Sequence, residues 1–200
     1  MKLFYSPTSP FVRKVIACAI EREIDGQIER LPTNPHASPP ELLACNPLSK
    51  VPCLVTDDGL ALFDSPVICE FLDSIGDALP MFPRPGALRW QALKWQALGD
   101  GTLDAAVGRR GEQGKPRDAG REAWLARQKA AIDRALDLLE SEQPHKTVDI
   151  GSITVACALG YLDFRFSPEP WRPGRPRLEE WFAAFAETPA IARTLPKDPA

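Results

Sequence analysis

The chain has 200 residues, 44% of them hydrophobic and 26% charged, a balance that suits an ordinary globular protein with one generous core or two modest ones. A formal charge of -3, with the basic residues scattered rather than striped, leaves no electrostatic footprint for nucleic acid. The opening Met1-Lys2-Leu3-Phe4-Tyr5-Ser6-Pro7 lacks the apolar stretch of a secretion signal and no run reaches the length of a membrane span, so a cytoplasmic protein with no membrane partner is expected.

Lys2-Leu3-Phe4-Tyr5 reads as a short strand, and Ser9-Pro10 then supplies a helix N-cap followed by proline in the first turn. Val12, Val15, Ile16, Ala19 and Ile20 form the apolar stripe of a helix that should end near Gly26. Gln27 to Leu31 can be a second strand. Pro32 to Pro47 holds five prolines, with room for one helical turn around Glu41-Leu42-Leu43, and reads as an exposed crossover. Cys53–Thr56 and Ala61–Phe63 flank Asp57-Asp58-Gly59-Leu60, a hairpin signal, and after Ser65-Pro66 the stripe Val67, Ile68, Phe71, Leu72, Ile75 gives a third helix.

This places a small mixed-sheet domain at residues 1–78. Three prolines and a glycine punctuate a linker at 79–86, and an all-helical domain is expected over 87–200. Its helices are read at about 87–108, 119–142, 150–166 and 177–186, with a turn after Pro189. The segment Ile153 to Leu162 is apolar or small nearly all round and should be buried at the centre of its domain, capped by Asp149. Here the order Asp149-x-x-Ser152 reverses the usual capping box, so the reciprocal bond from Ser152 is expected to be weak.

Five cysteines, at 18, 45, 53, 69 and 157, make an odd number with no C-x-x-C pair, which disfavours both a disulfide framework and a zinc site. The two histidines, His36 and His145, sit in proline-rich surroundings and read as solvated loop residues. No metal is expected, and neither a Ser-His-Asp nor a Cys-His arrangement has the material it needs.

Chemistry concentrates around Ser9. In the order strand, loop, helix, a Cys-Pro-x-Cys at this place would mark a thiol-disulfide oxidoreductase of the thioredoxin type, but the first cysteine position holds serine. A hydroxyl forms no mixed disulfide, yet it can donate to a thiolate that arrives on a substrate. Serine before proline is also simply a common N-cap, and the two roles are compatible because a helix N-terminus favours an anion. Lowering a thiol pKa of about 8.5 by two units needs roughly 2.7 kcal/mol. One hydrogen bond to a charged group supplies roughly 1.5–3 kcal/mol and a helix end about 0.3–1 kcal/mol.

Arg13 would add positive potential if it turned toward this site, although a basic residue pointing to solvent is the default. Val51-Pro52 precedes a strand. A cis bond there would turn the Val51 backbone toward a peptide ligand, but sequence alone favours trans. Asp64-Ser65 opens a helix where a ligand carboxylate could take the Ser65 hydroxyl and Asp64 could pair with an ammonium; an ordinary Asp-Ser cap is the plainer reading. Lys50 is a solvated lysine unless a ligand carboxylate lies near. Together these positions describe a ligand with a thiol, peptide groups and charged ends, which fits glutathione.

At Ser9-Pro10-Phe11-Val12-Arg13-Lys14, Asn46-Pro47-Leu48-Ser49-Lys50-Val51-Pro52, Asp64-Ser65-Pro66-Val67-Ile68, Ala97-Leu98-Gly99-Asp100-Gly101 and Ala158 to Arg165, the chain resembles the bacterial cytosolic glutathione transferases along essentially its whole length. The resemblance implies a thioredoxin-like N-terminal domain, an all-helical C-terminal domain, a homodimer, and glutathione as co-substrate with no other cofactor. It implies that Ser9 hydrogen-bonds the glutathione sulfur, that Val51, before a cis-Pro52, contacts the cysteinyl part, that Asp64 and Ser65 hold the γ-glutamyl end, and that Lys50 meets the glycine carboxylate. Asp100 matches a position that in some relatives reaches glutathione from the neighbouring subunit, although an exposed helical carboxylate is the plainer reading. The family commonly has glycine where Ser49 stands, so the turn before Lys50 could differ.

The expected activity is conjugation of the glutathione thiolate to a small electrophile. The alternatives are a glutathione-dependent peroxidase or disulfide reductase, which would need a protein cysteine in the role of Ser9, and a non-catalytic binding protein on the same fold.

Overall fold

The computed structural model describes residues 1–197. Four strands come first: β1 (Lys2–Tyr5), β2 (Glu29–Pro32), β3 (Cys53–Val55) and β4 (Ala61–Leu62) form one sheet in the order β2-β1-β3-β4. The β1–β2 pair is parallel, with Phe4 opposite Leu31, whereas β3 runs antiparallel to both β1 and β4, with Phe4 opposite Cys53 and Leu54 opposite Leu62. The parallel pair requires a crossover, and α1 (Pro10–Glu21) supplies it; α2 (Pro40–Cys45) and α3 (Ser65–Ile75) complete this part of the chain. From Ala87 onward the described residues form only helices: α4 (Ala87–Glu112), α5 (Ala119–Glu142), α6 (Ile150–Arg165), α7 (Pro176–Ala186) and α8 (Pro189–Ala192). The architecture is a thioredoxin-like domain followed by an all-helical one.

Helix α1 stops at Glu21, not near Gly26 as its sequence suggests. Glu23 takes the left-handed conformation at φ +58°, and the Ile24 N–H reaches back to the Ala19 carbonyl at 2.9 Å, a Schellman-type end that places Ile24 in the core. Helix α4 runs in the opposite sense, continuing through Gly108 to Glu112. A Cβ at Gly108 would lie 3.0 Å from the Trp124 ring, so that glycine lets α4 and α5 approach without ending the helix.

Helix α6 is buried from Ile150 to Leu162, as its sequence pattern predicts. Its close approach to α4 depends on small residues: a Cβ on Gly151 would stand 2.6 Å from the Ala92 carbonyl oxygen. The capping box at its start is complete. The Ser152 N–H donates to Asp149 Oδ1 at 2.8 Å and the Asp149 N–H donates to Ser152 Oγ at 2.9 Å, so the reversed order does not weaken the return bond. His145 is not a solvated loop residue either. Its ring sits 4.6 Å from that of Trp95 and its Nε2 lies 3.1 Å from Asp149 Oδ2, which braces the cap from outside.

The buried residues of the two domains join in one hydrophobic cluster, running from Leu3 and Val15 through Ile68 and Trp95 to Ile153 and Ile191. A smaller cluster, Phe4, Leu42 and Cys53, lies where α2 covers the sheet. Asp73 fastens the connection between the domains, accepting from the Met81 N–H at 2.7 Å and the Phe82 N–H at 3.1 Å, with the buried Arg22 guanidinium beside it. The consequence for function is that the N-terminus of α1 is set at a fixed position against α6.

Candidate active site

Ser9 caps α1. Its φ and ψ are extended, and its Oγ accepts the Val12 N–H at 3.3 Å, while Pro10 occupies the first turn, where a missing N–H costs nothing. A hydroxyl has one donor and two acceptor sites. Acting as a cap uses an acceptor site and leaves the O–H proton free to donate, so capping and anion binding do not compete. Ser9 is half-buried and opens onto a cavity of about 760 Å³.

Lys50 and Val51 line the same cavity as Pro10 and Phe11 of the first turn of α1. The Val51–Pro52 peptide bond is cis, and so is Phe63–Asp64. Ser49 adopts φ +51°, a conformation that glycine takes more readily. The neighbouring side chains hold it there. Asn46 Nδ2 donates to the Lys50 carbonyl at 2.9 Å and Asn46 Oδ1 accepts the Leu48 N–H at 3.0 Å, while Ser49 Oγ donates to the Pro35 carbonyl at 2.9 Å. The departure from glycine is therefore accommodated by the Asn46 bonds around the turn and by a hydroxyl bond that glycine could not make.

Asp64 and Ser65 stand at the N-terminus of α3 rather than on the cavity wall. Ser65 is buried. Asp64 occupies the N-cap position but makes no side-chain cap bond, so its exposed carboxylate is not committed to the helix. Its charge reaches Asp100 and Asp104 on α4, helping to hold both carboxyls above their ordinary range; burial is the larger cause in each. The charge of Lys50 opposes this at Asp104.

Two residues lie elsewhere than the sequence suggests. Arg13 is buried and points neither to solvent nor into the cavity; its Nε donates to Thr194 Oγ1 at 3.3 Å and its Nη2 to the Ile191 carbonyl at 3.2 Å. Gly160 makes room for this guanidinium, since a Cβ there would collide with Nη1. Asp100 is not the exposed carboxylate of the plainer reading. It is ion-paired within its own chain to the fully buried Lys14, whose Nζ donates to both carboxylate oxygens at 2.6 and 2.8 Å.

The remaining wall comes from residues to which the sequence assigns no individual role. His36, read as a bystander, borders the cavity, as do Phe11, Asp104 and Arg110. Asp104, Val107 and Gly111 fall on one face of α4 at i, i+3 and i+7, and Tyr161 and Arg165 one turn apart on α6; these spacings were legible, but only the docking of α4 and α6 against α1 makes them face Ser9. Burial raises the Tyr161 hydroxyl pKa, opposed by the positive charges of Arg165 and Arg110.

No cysteine lines the large cavity. Cys18, Cys53, Cys69 and Cys157 are buried, and burial pushes the Cys53 and Cys157 thiols up to about 11. Cys157 comes nearest the site, at a crevice behind Ser9 with no room for a water molecule.

Comparison with known proteins bears on the fold and the family. Residues 8–75 match the model of the glutathione S-transferase N-terminal domain and residues 122–184 that of the C-terminal domain. The chain is 38% identical over 202 residues to the uncharacterized GST-like protein YibF of Escherichia coli K12, covering 98% of each. A glutathione transferase family member from Pseudomonas fluorescens Pf-5, solved with bound glutathione, is 38% identical and superimposes with a TM-score of 0.91 over 98% of this chain and 99% of that one. A second structure from Pseudomonas fluorescens Pf-5, solved with S-(propanoic acid)-glutathione, is likewise 38% identical, with a TM-score of 0.86 over 99% of this chain and all of that one. The two domain matches and these relatives show that the chain belongs to the glutathione S-transferase family.

Proposed function

We propose that this protein is a glutathione transferase in which the Ser9 hydroxyl donates a hydrogen bond to the glutathione sulfur, favours the thiolate, and leaves it to attack an electrophilic carbon held in the same cavity. The observation that carries this reading is the position of Ser9: a hydroxyl with its proton uncommitted, at the N-terminus of α1, opening onto a cavity of about 760 Å³ that Val51 also lines. The Pseudomonas fluorescens relatives, with glutathione and a carboxylate-bearing glutathione thioether bound, supply the ligand class. In this reading the cysteinyl part lies along Val51, Lys50 meets the glycine carboxylate, and the γ-glutamyl end is held by Asp64 and Ser65, whose helix N-terminus suits an anion and whose uncommitted carboxylate suits an ammonium.

Transfer is favoured over disulfide or peroxide reduction because the large cavity presents a hydroxyl and no thiol. The cytoplasm and a homodimeric state belong to the same proposal. The five free cysteines suit a reducing compartment, and Val67 on α3 and Trp90 on α4 are left exposed, as a subunit interface would use them. A Ser9→Ala variant tests the reading: glutathione should still be retained on an affinity resin while turnover of chlorodinitrobenzene falls by about a hundredfold, the loss expected for about 2.7 kcal/mol of thiolate stabilisation. Unchanged turnover would remove Ser9 from the mechanism.

A further inference from the structure

If glutathione lies along Lys50 and Val51, the wall that α4 and α6 supply is left to meet the electrophile. That wall is built from the last turns of two helices: Arg110 on α4, and Tyr161 with Arg165 on α6. Cations at helix C-termini complement the macrodipole, and that alone explains a basic residue at each end. It does not explain why both guanidinium groups border the same cavity as one phenol, Tyr161, and bear on it by their charge. The neighbouring Arg109 turns the other way and pairs with Glu169 at 2.8 Å. Arg110 instead gives one N–H to a neutral acceptor, Gln113 Oε1, at 2.9 Å and has no carboxylate partner among the described residues. Among the described residues Asp104 is the one acidic residue on the cavity wall, and the charge of Lys50 already bears on it.

From this juxtaposition we infer that Arg110, beside the Tyr161–Arg165 pair, binds a carboxylate on the electrophile, so that the enzyme prefers small anionic electrophiles to their neutral counterparts. The inference rests on the transferase reading and adds its substrate class. Guanidinium and carboxylate match in shape and charge, and a planar fork beside a phenol O–H gives a carboxylate more donors than a neutral amide can use. For a substrate such as 4-chloro-3-nitrobenzoate, the glutathione sulfur forms a bond to the chlorine-bearing ring carbon. The displaced electron pair is carried by the ring and its nitro group, and the carbon–chlorine bond then breaks to release chloride. The thiol proton has already gone to solvent, and no oxidant or reductant takes part.

The test compares two synthetic conjugates, S-(4-carboxy-2-nitrophenyl)glutathione and the matching carboxamide, by calorimetric binding to the whole protein. The carboxylate conjugate should bind about tenfold more tightly at low ionic strength, with the preference shrinking as salt rises. Arg110→Gln should bring the ratio close to one, and Arg110→Lys should restore part of it; Arg110 is exposed, so these variants keep the fold, as circular dichroism would verify. Equal binding of both conjugates to the wild type, or a preference that survives in Arg110→Gln, overturns the inference and leaves the glutathione site standing. Failure of glutathione and both conjugates to bind overturns the inference and the transferase reading together.

Discussion

Lys14 Nζ donates to both carboxylate oxygens of Asp100, at 2.6 and 2.8 Å, and so ties α1, which begins at Ser9, to α4, which walls the cavity. The lysine is fully buried and the carboxylate side chain is 18% exposed. Breaking such a pair leaves a charge with no partner, a greater cost than never having had the pair. Burial already holds the Asp100 carboxyl above its ordinary range, against the pull of Lys14.

Lys14→Met should therefore destabilise the protein by about 3 kcal/mol at neutral pH, and the deficit should shrink in acid. Without Lys14 the folded-state pKa of Asp100 rises further. A raised carboxyl contributes stability below its unfolded value that is lost as pH climbs through the folded one. Urea unfolding of wild type and variant from about pH 4 to pH 7 checks this; a deficit that stayed constant across the range would show that Asp100 does not respond to its partner.

The Asn46 side chain spans the turn that carries Lys50 and Val51. Replacing this buried residue by alanine strands the Lys50 carbonyl and the Leu48 N–H, at a cost of about 1–3 kcal/mol. Asn46→Ala should lower the unfolding midpoint and weaken glutathione binding together. Weaker stability with unchanged binding would show that the ligand does not depend on this turn.

Helix α6 tests the packing account. Gly160→Ala would push a methyl group into the Arg13 guanidinium and disturb its bonds to Thr194 and Ile191, with an overpacking cost of about 1–3 kcal/mol. Thermal unfolding measures it. The double variant Arg13→Met/Gly160→Ala should lose less than the sum of its single changes, because the two residues share one space.

Cysteine reactivity separates the surface from the core. Cys45 is the one cysteine that is not fully buried, and the Cys53 and Cys157 thiols are held up at about 11. Native protein should react quickly with a disulfide reagent at one site, mapped to Cys45, and release the remaining thiols only in denaturant.

The sequence was legible where local signals and tertiary demands agree. Ser9-Pro10 and Asp149 each cap a helix where their chemistry suggests, and the uniformly apolar Ile153–Leu162 lies inside α6, whereas α3 has Asp64 rather than Ser65 at its N-cap, with no side-chain cap bond. It misled where glycine read as an endpoint: Gly26 follows the true end of α1, set by Glu23 and Ile24, and Gly108 lies inside α4 because Trp124 packs on it. Arg13, Lys14 and Asp100 were illegible for a different reason. A charged residue reads as solvated unless its partner is known, and these partners lie far along the chain, Asp100 being 86 residues from Lys14. Arg110 and Tyr161 face Ser9 only because α4 and α6 pack together beside α1, an arrangement that periodicity within each helix does not encode.

The ionisation of bound glutathione tests the central claim most directly. Ultraviolet thiolate absorbance of the complex, titrated against pH, should show the sulfur losing its proton about two units below the free-thiol value of about 8.5 in wild type, and at the free value in a Ser9→Ala variant that still binds. A wild-type complex that titrates like free glutathione, or a Ser9→Ala complex whose thiol remains as acidic as in wild type, would contradict the account.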